Sequence, residues 1–310
     1  MSLKIPEDYT EFLYWVKERT EKFWSINPET SKDDFVCEKW VYGAKWIGLS
    51  DSEIDSIENK YEIKFSYEHR EFLKILHSID RKEIIEYTGT FDEDAEIKLD
   101  YRPFFYNWLN DNDEIRDRLN WPYRTIFEDV VGANKVWLKS WGKTRPKSDE
   151  ERESLFSKWF NQAPKVIPIT GHRFVVNDVI DSPVLSIYGS DIIVYGWNMR
   201  HYLLNELKEH LNLLELVYDD EDDEWYSEPI KEFQEINNFE YKKAKDKAIP
   251  VWEEMILYWS SGWSSYGKEY PNPNNENIRP IVKTFIPEDE TEVNSQKTFN
   301  NFEKNKDNNI

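Results

Sequence analysis

The residues of this chain that could do chemistry are scattered, and their spacing limits what they can form. There are five histidines: His69, His77, His172, His201 and His210. No two stand four apart, and none belongs to a His-Glu-x-x-His helix, so the helical zinc clasp is absent. His69 and His210 fall on the polar faces of their helical stretches, which predicts solvated side chains. His172 follows Gly171 at a turn between two expected strands, where a turn-stabilising polar residue is the simpler reading. Ser190, Asp191 and His201 have the residue types of a nucleophilic triad, but no Gly-x-Ser-x-Gly elbow frames the serine. Ser140-Trp141-Gly142-Lys143 matches Ser-x-x-Lys, a spacing that chance supplies readily. Gly142-Lys143-Thr144 imitates the end of a phosphate loop, but Trp137 stands where the loop needs glycine. Gly-x-Gly-x-x-Gly is missing. No cofactor and no catalytic residue is expected from these patterns.

Cys37 is the one cysteine, so neither an intramolecular disulfide nor a Cys-pair zinc site can be built. Its acidic neighbourhood, Asp34 to Glu38, discourages the thiolate. Carboxylates are abundant, with 61 Asp+Glu against 40 Lys+Arg and a formal net charge of −21. Such a surface repels phosphate backbones and anionic membranes, and charge steering favours a basic protein partner. Six acids run together, Asp219, Asp220, Glu221, Asp222, Asp223 and Glu224, forming either a solvated loop or a docking surface for that partner. No glycine stands in the run, which excludes an EF-hand calcium loop. The chain also holds 14 Trp, 18 Tyr and 17 Phe. Most sit at core-like periodic positions, although a sugar-stacking cleft with a carboxylate pair is the enzymatic alternative.

The elements that must position these groups follow from periodicity. Tyr9, Phe12, Leu13, Val16 and Phe23 recur at helical spacing over 6–24. Ser50 and Glu53 form a capping box for a helix burying Ile54 and Ile57. A second helix is expected over 67–79, β-rich segments over 83–91 and 96–100, and helical character between Pro103 and Trp141. Ser148 and Glu151 open another helix, burying Leu155, Phe156, Trp159 and Phe160. Four short runs, 166–170, 173–177, 184–188 and 191–195, are linked too briefly for parallel crossovers and predict an antiparallel meander. Asn198 caps an expected long helix with a stripe from Leu203 to Leu214. A further helical stretch carries Ile230, Phe233 and Ile236, another is led by 249–252 and ends at 260–262, and 287–310 reads as a disordered tail. The N-terminus has no apolar signal-like segment, and no run approaches the roughly 18 apolar residues of a membrane span. A cytoplasmic protein is expected.

Two segments carry a family resemblance. Trp46-x-Gly48-x-Ser50-x-x-Glu53-Ile54-x-x-Ile57-Glu58, then Ile63-x-Phe65 and Phe72-Leu73, resembles the opening of the SUKH superfamily. Ile167-Pro168-Ile169-x-Gly171-His172, with Pro183 to Ile187 and Asp191, is similar to its strand block. Ser66 stands where the family commonly has proline, and Ser78-Ile79-Asp80 where it has a glycine turn. The resemblance implies a non-enzymatic protein-binding domain, either a bacterial immunity protein that neutralises a toxin or a cell-envelope and signalling scaffold. The expected fold class is α/β of the α+β type: a mostly antiparallel or mixed sheet flanked by helices. That fold would be a single SUKH-like domain over 1–286, with its core at about 40–217 and helical additions at both ends.

Overall fold

The computed structural model describes residues 3–33, 35–87, 97–177, 179, 181–244 and 249–258. The expected tail over 287–310 lies outside them. The N-terminal helix α1 (Tyr9–Trp24) is capped by Asp8, whose side chain accepts the Glu11 N–H, and buries Phe12, Leu13, Val16, Phe23 and Trp24. A 3-10 turn at Lys39–Val41 leads to the short strand β1 (Trp46–Ile47). Helix α2 (Asp51–Tyr61) starts at Ser50 with both halves of the capping box formed. Helix α3 (Tyr67–Leu76) ends earlier than the periodicity suggests, because Ser78 and Ile79 form strand β2 and pair antiparallel with β1.

Strands β3 (Lys82–Tyr87) and β4 (Lys98–Pro103) form an antiparallel hairpin of their own. The long helix α4 (Asn112–Val131) contains Pro122 in its interior, and a 3-10 turn at Lys139–Trp141 follows. Helix α5 (Asp149–Phe160) is capped by the Ser148 side chain and buries Phe156 and Trp159, leaving Leu155 and Phe160 half-buried. The expected meander is present as β5 (Val166–Thr170), β6 (Arg173–Val176), β7 (Val184–Tyr188) and β8 (Asp191–Gly196), all antiparallel and in sequential order. Among the described residues every strand pairing is antiparallel, and the fold is of the mixed α/β type.

The meander divides two hydrophobic cores. Ile167, Ile169, Val175 and Val184 join the core built from α1, α2, α3 and the residues after β8. Val166, Phe174, Val176, Leu185, Ile187 and Ile192 face the other, built around α4, α5 and the helix at 252–258. A sheet buried on both faces explains why β5 and β7 read as continuous apolar runs with no alternation.

The expected long helix after Asn198 stops after two turns as α6 (Met199–Glu206). Leu207, Leu211 and Leu213 stay buried in a turn, but Leu214 opens a strand. Strands β9 (Leu214–Asp219) and β10 (Glu224–Pro229) make a second hairpin, followed by α7 (Lys231–Ala244) and α8 (Trp252–Tyr258). No helix among the described residues is long and apolar enough to cross a membrane.

Candidate protein-binding surface

The acidic run occupies the tip of the β9–β10 hairpin. Asp219 and Glu224 are the last paired residues, and Asp220 to Asp223 make the turn, with Asp223 at a φ of 57°. The Asp219 carboxylate accepts the Glu221 N–H at 2.8 Å, and the Tyr218 hydroxyl donates to Asp223. Asn and Asp tolerate left-handed backbone and bond their own turn, so an acid-rich turn is locally self-consistent. The whole hairpin, 214–229, carries Glu215, the six-residue run and Glu228, and holds neither Lys nor Arg.

Strand alternation sorts the hairpin into two faces. One carries Leu216 and Tyr218 from β9 and Trp225 from β10. Tyr218 and Trp225 are directly paired, their ring centroids are 5.2 Å apart, and Trp225 is 65% exposed. The other face carries Glu215, Val217, Tyr226 and Glu228. Burial, with Glu228 and Asp219 nearby, pushes the Tyr226 phenol up. An aromatic pair beside a dense anionic tip is the composition that interface cores and steering rims use.

The root of the hairpin is held to α1. The Arg19 guanidinium donates from Nε to the Leu211 carbonyl at 2.5 Å and from a terminal nitrogen to Asn212 at 3.3 Å. The Trp24 indole donates to His210 Nδ1 at 3.1 Å, and the His210 ring packs edge-on against Trp24 and Phe104. The β3–β4 hairpin also exposes apolar residues: Ile84 and Leu99, with Tyr101 directly opposite Ile84.

The histidines differ most from the expectation. His69 is fully buried, stacks edge-on to Phe65 at 4.7 Å, and neither ring nitrogen has a hydrogen-bond partner. His210 is half-buried among aromatic rings. Helical phase alone put both on polar faces, and the packing of neighbouring elements over α3 and over the turn after α6 reversed that. His172 is half-buried, its ring edge-on to Tyr188, and burial followed by Arg173 and Arg118 pushes its pKa down.

The serines and the histidine of the nucleophilic readings are engaged elsewhere. Ser190 donates its hydroxyl to Asp129, while His201 Nδ1 accepts the Trp197 N–H. Ser140 bonds Glu254, and Cys37 is buried, with burial pushing its thiol up. No group of His, Cys, Asp and Glu suited to a metal ion occurs among the described residues.

A cavity of about 550 Å³ lies between α4 and the β7–β8 turn. Trp121 and Tyr188 wall one end, and Glu128, Asp129 and Asp191 line it. Asp129 is committed to the fold, as its two oxygens hold the Ser190 N–H and hydroxyl and the Asn134 amide. Gly189, at a φ of 60°, lets this turn approach, since a Cβ there would lie 2.4 Å from the Asp129 carboxylate. The Trp121 ring lies under the Arg118 and Arg124 guanidinium groups.

Sequence reasoning missed the β9–β10 hairpin, although Leu214, Leu216 and Tyr218 alternate into the acidic turn. It named Glu58 in a motif but not its burial: the carboxylate is buried and accepts the Phe65 N–H and Lys64 while pairing with Arg70. Comparison of the chain with protein-family models, with curated proteins and with solved structures finds no match.

Proposed function

We propose that this chain is a non-enzymatic protein-binding domain of the SUKH type, acting as an immunity protein that neutralises a basic toxin such as a nuclease. The supporting observation is the β9–β10 hairpin. Its tip gathers Asp219, Asp220, Glu221, Asp222, Asp223 and Glu224, and one face leaves Leu216, Tyr218 and Trp225 uncovered. Anionic residues raise the encounter rate with a cationic partner, and the aromatic pair supplies desolvated contact once the two meet. The test is co-expression with the product of the adjacent open reading frame. Relief of toxicity and a complex on a sizing column are expected, whereas unrelieved toxicity without a complex overturns the proposal.

A carbohydrate-acting enzyme is the second reading, and the Trp121–Tyr188 groove with its carboxylates is the observation that favours it. Asp129 is occupied as a structural acceptor and the Trp121 ring is covered by arginines, both of which weigh against that use. Turnover of a defined oligosaccharide that Glu128→Gln abolishes would favour the enzyme over the binding domain.

A further inference from the structure

We infer that the core layer built on α1, α2 and α3 is an acid-sensitive device: His69, His77 and His210 are walled into it as neutral imidazoles, and their protonation opens this layer and frees the root of the β9–β10 hairpin ahead of the opposite layer.

The geometry carries the inference. His77 Nε2 accepts the Trp108 backbone N–H at 2.8 Å, and His210 Nδ1 accepts the Trp24 indole N–H at 3.1 Å. A nitrogen that accepts must keep its lone pair, so a proton there turns each bond into a donor facing a donor. His69 has no partner on either nitrogen and sits between Phe65 and Phe72, where an imidazolium would be desolvated without compensation.

The charged groups around these rings are few. His77 is the ionisable group acting on His69, and it disfavours the charged form there too. Asp111, before α4, and Glu53, on α2, face His77 and favour its cation, but Asp111 is itself paired with Lys82. Glu38, before the first 3-10 turn, faces His210. Burial outweighs these carboxylates and holds His77 and His210 down at about 4, and His69 at about 3.

The sign follows from linkage. Each imidazole binds its proton near 6.5 when released and only near 4 or below when folded. The open state therefore gains protons first, and closure weakens as pH falls through 6.5 toward 4. Between pH 7 and pH 5 each imidazole shifts the open-to-closed ratio by about 20-fold. The hairpin responds because His210 stands four residues before β9, in the turn whose Leu211 and Asn212 carbonyls Arg19 holds.

Hydrogen exchange of the full chain at pH 7 and pH 5, corrected for intrinsic rates, tests this without any partner and so stands apart from the toxin reading. Protection over 9–24, 67–77 and 208–229 should fall by at least 20-fold at pH 5, while 126–131, 156–160 and 252–258 keep theirs. His77→Gln and His210→Asn, which preserve an acceptor and cannot be protonated, should each restore about 20-fold. Equal loss in both layers, or variants with unchanged pH dependence, overturns the inference. Should the variants not fold, imidazole NMR titration of the native chain decides. Three rings neutral at pH 5 support the device, and any of the three titrating near 6.5 in the folded chain removes it.

Discussion

Replacing Asp129 separates a structural carboxylate from a catalytic one. Its Oδ2 accepts the Ser190 backbone N–H and hydroxyl, both at 2.7 Å, and its Oδ1 accepts the Asn134 side-chain amide at 2.6 Å. Asp129→Ala removes these three bonds and strips this acceptor from the Ser190 N–H, on a residue that is buried. Bonds to an ionised acceptor contribute about 1.5–3 kcal/mol each and add incompletely, so a loss of about 3–5 kcal/mol in unfolding free energy is expected. Asp129→Asn can keep an oxygen toward Ser190 and present its NH2 to Asn134, whose own amide can rotate to accept. Its loss should be only about 1 kcal/mol. Urea denaturation followed by tryptophan fluorescence measures both. Equal losses for the two variants, or a loss under about 1 kcal/mol for Asp129→Ala, would refute the reasoning that Asp129 pins the β7–β8 turn to α4. A catalytic Asp129 would give the converse: Asn would abolish turnover with the fold intact.

Three further substitutions have outcomes set by the contacts they remove. Ser50→Ala removes both the acceptor for the Glu53 N–H and the hydroxyl bonded to the Glu53 carboxylate, and thermal unfolding should show a loss of about 1 kcal/mol. For Glu58, burial raises the carboxyl pKa, but Lys64, the Phe65 N–H and Arg70 outweigh it and hold the group down. Its contribution is therefore present above the ordinary carboxylate range and fades as pH falls through the depressed value; Glu58→Gln should cost about 3 kcal/mol at pH 7 and progressively less in acid, as a urea series across pH would show. Charge reversal of Asp219, Asp220, Asp222 and Asp223 to Lys, the first half-buried and the other three exposed at the hairpin tip, should leave the fold intact, while stopped-flow association with the proposed basic partner slows and loses its salt dependence.

The meander was legible in the sequence because its links carry their own signals. Gly171 and Gly189 both adopt positive φ in two-residue connections, and such tight turns admit only antiparallel pairing. The capping box at Ser50 is equally local, since Ser50 and Glu53 satisfy each other whatever packs above them. Burial of the histidines could not be read the same way. His69 lies on α3 at a position whose exposure depends on Phe65 and Trp108, and Trp108 is brought there by a segment 39 residues away. Helical phase carries no information about which neighbour covers a face.

The helix expected from Leu203 to Leu214 shows the other limit. Leu203, Leu204, Leu207 and Leu211 are all buried, as a helical stripe requires, yet only the first two lie within α6. The chain leaves the helix because tertiary contacts satisfy the turn. Arg19 takes the Leu211 and Asn212 carbonyls, Leu213 N–H reaches Lys208 O, and Asn212 adopts a φ of 51°. A guanidinium 192 residues away in sequence thus helps end the helix and aim β9 outward. The same contact that defeats the periodicity argument therefore exposes the acidic tip. Unlike the six acids, Arg19 and Trp24 lie in α1, and no local reading of 214–229 could have identified them as what holds the hairpin in place.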